Sequence, residues 1–313
     1  MEEVSFSYNV KKEIIDKINS KPKADVCIMG MLTYCNDLSD EEISFLTENK
    51  AVADFFSLNV GRILENDKAV EITQQQKKNG VILYNLEIKD YEDRITLLDY
   101  FRMDSSRRLM PEDLPKEKFY PQLIAGIFLA CGSVNNPVKK YHMEFVMPTL
   151  DLCNDFGILL IDNFGITPKH VERKNSQIVY IKESENIIDM LTLMGASMCS
   201  LELMNVKMMK DMRNKINRAV NCDNANIEKS LKAAEKQISD IELIDETIGL
   251  DSLPDNLQEI ADLRYNNPDY NLKELGAAID PPISRSGANH RLQKLAEIAD
   301  KIRTEKEIKQ KEE

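Results

Sequence analysis

Apolar positions fall into two matching series over about the first 215 residues, and both series change period in the same order. In the first series, Ile43-Ser44-Phe45-Leu46 is a mostly alternating run that predicts a strand. Ala51, Phe55, Leu58 and Ile63 then recur at helical spacing, which predicts a helix that Thr47 caps and that continues through Leu64. In the second series, Met143-Glu144-Phe145-Val146 is the matching strand. Pro148-Thr149 opens the matching helix, which runs through Phe164 on Leu152, Phe156, Leu159 and Leu160. Short strands follow in each: Ala69–Thr73 and Val81–Ile88, then His170–Arg173 and Ile178–Lys182. Lys78-Asn79-Gly80 and Lys174-Asn175-Ser176 suit tight reversals between those strands. Closing helices are expected at about Tyr91–Phe101 and Ser184–Met194. The chain thus repeats a helix–strand–strand–helix plan with a period of about 96 residues, measured from Gly30 to Gly126.

Beyond the repeats the pattern is helical. Cys199–Val220 is amphipathic and methionine-rich, and Leu201, Met204, Met208, Met209, Met212 and Ile216 are expected to fill an irregular core. A second long helix is expected from Ile227 to about Glu246, on the stripe Ile227, Leu231, Ala234, Ile238, Ile241 and Ile244. Gly249 and Pro254 mark a stop and a restart. Three short helices follow: Asp255–Tyr265, Leu272–Ile279, and one from Ser284 or Ser286 to about Ile302. Asn266-Asn267-Pro268 and Asp280-Pro281-Pro282-Ile283 separate them. The expected organisation is an α+β domain over 1–220, with halves of about 1–115 and 116–220. A helical connector over 221–253, an all-α helix-turn-helix domain over 254–303 and a fraying charged tail over 304–313 complete it.

Composition narrows the function classes. No apolar run approaches the roughly 18 residues of a membrane span, and the N-terminus does not read as a signal peptide. The six cysteines contain no CxxC pair, which fits reduced thiols of a cytoplasmic protein. Three widely spaced histidines give no ligand spacing for a metal, and nothing calls for a cofactor. The net charge of −12 argues against nucleic acid until its distribution is read. Residues 205–218 carry Lys207, Lys210, Arg213, Lys215 and Arg218 against Asp211 alone. Residues 283–303 carry Arg285, Arg291, Lys294, Lys301 and Arg303 against Glu297 and Asp300. These are two basic islands on an acidic body.

Ile124-Ala125-Gly126-Ile127-Phe128-Leu129-Ala130-Cys131-Gly132-Ser133 resembles a LAGLIDADG helix, and Ile28-Met29-Gly30-Met31-Leu32-Thr33-Tyr34-Cys35 is a fainter copy. That resemblance implies two helices packed through small residues, here Gly126, Ala130 and Gly132, below a saddle of antiparallel strands. In the nucleases an acidic residue ending each helix holds a divalent metal on the scissile phosphate; here both end positions are cysteine, Cys35 and Cys131. A thiol is a poor ligand for a hard cation, so the scaffold is expected to bind rather than cut. Asn36 and Asp37 leave room for one displaced ligand, short of the paired acids of two-metal hydrolysis. Glu71, Glu87, Glu144 and Glu172 are strand residues placed to line the saddle, a poor surface for phosphate. The N-terminal domain alone is therefore expected to bind DNA weakly or not at all.

The C-terminal helices have helix-turn-helix logic: a short helix, a tight turn, then a longer helix with a polar, basic N-terminal half. Leu292, Leu295, Ile298 and Ala299 mark its inner face. Arg285, Ser286, Asn289, His290, Arg291 and Lys294 are the candidate DNA contacts. Arginine pairs bidentately with guanine and asparagine with adenine, and Ser286 with the helix amides suits a phosphate oxygen. Lys210, Arg213, Lys215 and Arg218 are candidates for a secondary contact.

Several longer segments resemble the WhiA family of bacterial transcription regulators. They include Ser5-Phe6-Ser7-Tyr8-Asn9-Val10, Tyr141-His142-Met143-Glu144-Phe145 and Arg213-Asn214-Lys215-Ile216-Asn217-Arg218. The most specific runs from Asp280-Pro281-Pro282-Ile283 through Ser284-Arg285-Ser286-Gly287-Ala288-Asn289-His290-Arg291-Leu292. The resemblance implies a degenerate two-repeat LAGLIDADG domain without nuclease activity, tethered to a helix-turn-helix that reads promoter DNA of sporulation and cell-division genes. It places the recognition helix at Ser284–Ala299 and the protein in the cytoplasm, on the nucleoid. The expected partner is double-stranded DNA. Two alternatives stand beside it: an adaptor that binds another transcription regulator or a division protein, and a residual metal-dependent endonuclease.

Overall fold

The computed structural model describes residues 5–77, 80–104, 109–110, 116–174 and 176–312; Lys78, Asn79 and Asn175 of the two expected turns lie outside them. It divides into two compact units, Met1–Asp211 and Met212–Glu313.

The first unit opens with α1 (Phe6–Lys17), capped by Ser5, whose hydroxyl accepts from the Tyr8 amide. One half follows as α2 (Lys21–Thr33), β1 (Asp37–Leu38), β2 (Ile43–Thr47), α3 (Lys50–Leu64), β3 (Glu71–Gln76), β4 (Ile82–Glu87) and α4 (Tyr91–Phe101). The other half repeats it as α5 (Tyr120–Cys131), β5 (Gly132–Val134), β6 (Met143–Met147), α6 (Leu150–Phe164), β7 (Lys169–Arg173), β8 (Ser176–Ile181) and α7 (Ser184–Leu193). The two antiparallel sheets have the same order, β1-β2-β4-β3 and β5-β6-β8-β7. This is the α+β, two-repeat architecture that the periodicity predicts, with the LAGLIDADG-like plan that the motif resemblance implies.

One core serves both halves. Ile28 and Met31 of α2 and Ile124 and Ile127 of α5 are fully buried, together with Phe45, Phe128, Phe145 and Phe156. Gly30 and Gly126 make the helix crossing possible. A Cβ on Gly126 would strike the Cys27 carbonyl oxygen, and one on Gly30 would strike that of Leu123. Only glycine lets two helix backbones approach this closely. Gly132 does not share that face: it has left the helix for β5, where it pairs with Phe145 of β6.

Other expectations are corrected. Thr47 is the last residue of β2, in register with Tyr84, and α3 is capped by Asn49, whose side chain accepts from the Ala51 amide at 3.0 Å. The Thr47 hydroxyl accepts from the Asn49 amide instead. The expected break at residues 221–226 is absent: α8 (Ser197–Ile248) is one helix of 52 residues that runs through the boundary between units. Asn221 to Asn226 includes poor helix formers but neither glycine nor proline, so each costs only tenths of a kcal/mol, about what flanking turns absorb. The methionine-rich face is not core either. Cys199 and Leu203 pack into the first unit, whereas Met204, Met208, Met209 and Met212 are exposed.

In the second unit α9 (Asp255–Asn266), α10 (Leu272–Ala277) and α11 (Arg285–Glu312) close over Ile241 and Ile244 of α8. The helix of α11 continues to Glu312, past the expected stop near Ile302, because its charged tail also lacks a helix breaker. No helix among the described residues is long and apolar enough to cross a membrane.

Candidate nucleic-acid interface

The helix-turn-helix is built around a close approach. Ile283 in the turn donates its amide to the Gly276 carbonyl at 2.9 Å, and a Cβ on Gly276 would lie 2.6 Å from the Ile283 carbonyl oxygen. A capping box starts α10: Asn271 accepts from the Glu274 amide, and the Glu274 carboxylate accepts from the Asn271 amide. Ser284 precedes α11 and accepts from the Gly287 amide. Ala288, Leu292, Leu295 and Ala299 turn inward onto Leu257, Ile260 and Leu275. Arg264, 2 % exposed, donates to the carbonyls of Asn267, Pro268 and Tyr270 and fixes the α9–α10 turn. Burial pushes its pKa down from the ordinary arginine value.

This inward set leaves Arg285, Ser286, His290 and Lys294 exposed and Asn289 half-buried on the outer side of α11. Among the described residues, no hydrogen bond or ion pair engages the side chains of Arg285, Asn289, His290 or Lys294; the Ser286 hydroxyl lies 3.1 Å from that of Ser284. Five of the six candidate contacts therefore share one face. Arg291 does not: its guanidinium turns to α9 and donates to the Glu259 carboxylate and the Asn256 carbonyl, both at 3.2 Å. Sequence periodicity places position 291 beside the apolar stripe but does not reveal the acid opposite it.

The secondary candidates also separate. Lys210, in the first unit, donates to the Pro137 carbonyl at 2.7 Å and lies 4.6 Å from the centre of the Tyr141 ring. Arg213, Lys215 and Arg218 are exposed on α8.

At the motif ends the chemistry differs from a metal centre. Cys35 donates to the Asp37 carbonyl and Cys131 to the Ile127 carbonyl. Asn36 and Asp37 are engaged in the sheet, accepting from the Leu46 amide and the Ser44 hydroxyl. A cation is already present: Lys11 of α1 donates to the Leu129 carbonyl at 3.1 Å. Burial lowers its pKa to about 8, with Cys131 and Glu48 pulling it back upward. Thiols and an ammonium do not suit a hard divalent ion, and among the described residues no three His, Cys, Asp or Glu side chains group around a cation position. Sequence reading missed Lys11. Its only trace is that Ser7 and Lys11 are spaced i, i+4 beside the Phe6–Val10–Ile14 stripe.

The strand registers correct the saddle lining. Glu71 pairs with Glu87, and Asp37 with Ser44, on the face of the first sheet opposite buried Phe45 and Leu86. In the second sheet Glu144, Tyr180 and Lys169 are in register on the corresponding face, and Arg173 follows by alternation. Glu172 pairs with Gln177 and Met147 on the helix side, so it does not line the saddle. The first sheet's open face is acidic at Asp37, Glu71 and Glu87, with Lys89 pairing Glu71 at 2.7 Å, and the second's is mixed.

The family model described as the WhiA C-terminal HTH domain matches residues 216–299, and that described as the WhiA LAGLIDADG-like domain matches 121–213. The probable cell division protein WhiA of Clostridium perfringens is 38% identical over 96% of this chain and 99% of its own length. That of Clostridium beijerinckii is 38% identical over 97% and 100%. Among solved structures, full-length WhiA from Thermotoga maritima shares the fold with a TM-score of 0.59 at 24% identity, covering 95% of this chain and 99% of that one.

Proposed function

The chain belongs to the WhiA family, and on that premise we propose that it is a sequence-specific DNA-binding regulator of transcription, without nuclease activity, acting on genes of cell division and sporulation. One observation carries the reading: the N-terminal half of α11 presents Arg285, Asn289, His290 and Lys294 with no partner of their own among the described residues, above a packed helix-turn-helix core. Arg285 and Asn289 read base edges, Ser286 and Lys294 contact phosphates, and His290 lies between them. Residues 254–303 are the reader, 221–253 the connector and 1–220 the modulating domain. Arg213, Lys215 and Arg218 add a non-specific phosphate contact. The site of action is the nucleoid, in the cytoplasm. The curated relatives named as probable cell division proteins support the physiological assignment.

A second reading rests on the acidic face formed by Asp37, Glu71 and Glu87. That face suits a basic partner protein, another regulator or a division protein, better than it suits phosphate, and it makes the first unit an adaptor.

The test is a titration of promoter fragments at fixed salt with the full chain, its R285A and N289A variants and a chain ending at Gly249. Each substitution should cost about 1–3 kcal/mol of specific binding, and truncation should abolish it. Retained binding by the truncated chain moves the DNA site to the first unit. Mg²⁺-dependent nicking of a promoter plasmid refutes the assignment as a non-nuclease.

A further inference from the structure

A cavity of about 750 Å³ opens in the first unit beside the end of the second motif helix. It is lined by residues of both halves and of α1. Its wall carries Lys11, half-buried, whose ammonium donates to the Leu129 carbonyl, lies 5.7 Å from the centre of the Phe128 ring and keeps N–H capacity beyond that one bond.

Three hydroxyl side chains line the same cavity. Ser5 accepts from the Tyr8 amide, Ser7 from the Val134 amide and Thr47 from the Asn49 amide. Each accepts from one amide, and among the described residues none of the three has an acceptor for its own proton, which is left to donate. A cavity wall that carries a lysine and three hydroxyl side chains with protons to donate suits a ligand made of acceptors. The one lining carboxylate, Glu48, is bound by Lys77 at 2.6 Å. Leu46 and Ala130 give the same cavity an apolar wall, and its volume is that of sites for small organic ligands.

We propose that this cavity is an anion site: Lys11, Ser5, Ser7 and Thr47 bind the phosphate group of a small organic phosphate, or a phosphate of the DNA backbone. An anion entering there also stabilises the charged form of Lys11, whose pKa burial has lowered.

Full-length protein is titrated with inorganic phosphate and with phenyl phosphate at constant ionic strength, with binding followed by calorimetry and by the Lys11 side-chain NMR signal. Phenyl phosphate should bind saturably and shift that signal, and inorganic phosphate should bind at the same place more weakly. K11M should lose at least about tenfold in affinity, and K12M, at an exposed neighbour, should change it less than about twofold. T47V, which keeps the volume and removes a hydroxyl, should lose about threefold, and it reads the site even if K11M does not fold. A short duplex that displaces phenyl phosphate identifies the backbone as the source of the anion, whereas one that leaves it bound identifies a free metabolite. Non-saturable binding, an unmoved Lys11 signal, or K11M that folds and binds like wild type overturns the proposal.

Discussion

Alanine at Gly126 tests whether the crossing of α2 and α5 holds the first unit together. The new Cβ strikes the Cys27 carbonyl oxygen and lies 2.9 Å from its carbon and 3.1 Å from the Met31 nitrogen. All three atoms are backbone of α2, so none can swing aside as a side chain would. Relief requires the helices to part by on the order of 1 Å, which weakens dispersion contacts along the interface by a quarter to a half. Overpacking of this kind costs about 3 kcal/mol, and alanine's better helix propensity returns about 1, leaving a net loss of about 2 kcal/mol. For a unit of this size that is a fall of about 4–8 °C in melting temperature. Gly157, inside α6, is the control: nothing lies within 4 Å of its Cβ position, so G157A should gain about 1 kcal/mol. Near-ultraviolet circular dichroism is a suitable probe, because the chain lacks tryptophan and eight of its ten tyrosines precede residue 212. G126A melting at or above the wild-type temperature would refute the assignment of this contact.

Two further substitutions have opposite signatures. R291A should cost the second unit about 1 kcal/mol by removing the partner of Glu259, yet weaken promoter binding less than about threefold. R285A should leave melting unchanged within about 0.5 kcal/mol and carry the larger loss of DNA affinity. An R291A variant with intact stability and lost binding would mean that Arg291 leaves Glu259 for DNA. The desolvated ammonium of Lys11 sets a pH dependence. Its folded pKa of about 8 lies below the ordinary 10.5, so between those values the unfolded chain holds more protons and this group makes stability rise with pH. Below about pH 8 both states are protonated and the slope vanishes. Urea midpoints of wild type minus those of K11M should climb across that window; a flat difference removes the perturbed lysine from the account.

Periodicity was enough for the duplicated plan because two similar series must share one solution, and alternation gave β2 and β6 to within a residue or so. Small-residue spacing gave the motif helices, since only glycine satisfies a backbone-to-backbone crossing. The sequence did not show where α8 would continue, because weak helix formers at 221–226 look like a linker until tertiary structure holds both ends. Glu172 was misplaced for a different reason: one position of register exchanges the two faces of a strand, and composition cannot choose between them. At the reading helix, the outward face of α11 was legible from its apolar stripe, whereas the engagement of Arg291 depends on Glu259, 32 positions earlier. Lys11 illustrates the limit most sharply, since its partner is the carbonyl of a residue 118 positions away.

The fate of the six thiols has a practical consequence. Cys222, on α8, is the one exposed cysteine, and Cys131 is half-buried. Burial holds Cys153 up at about 11, Cys199 up at about 12 and Cys27 higher still. The thiolate is the reactive form, so a maleimide at neutral pH will find Cys222 first and the buried thiols slowly. The native chain therefore carries a ready attachment point for a dye on its long helix without any engineered cysteine. The buried set serves as a clock: each thiol that becomes fast to label marks the moment at which the first unit opens.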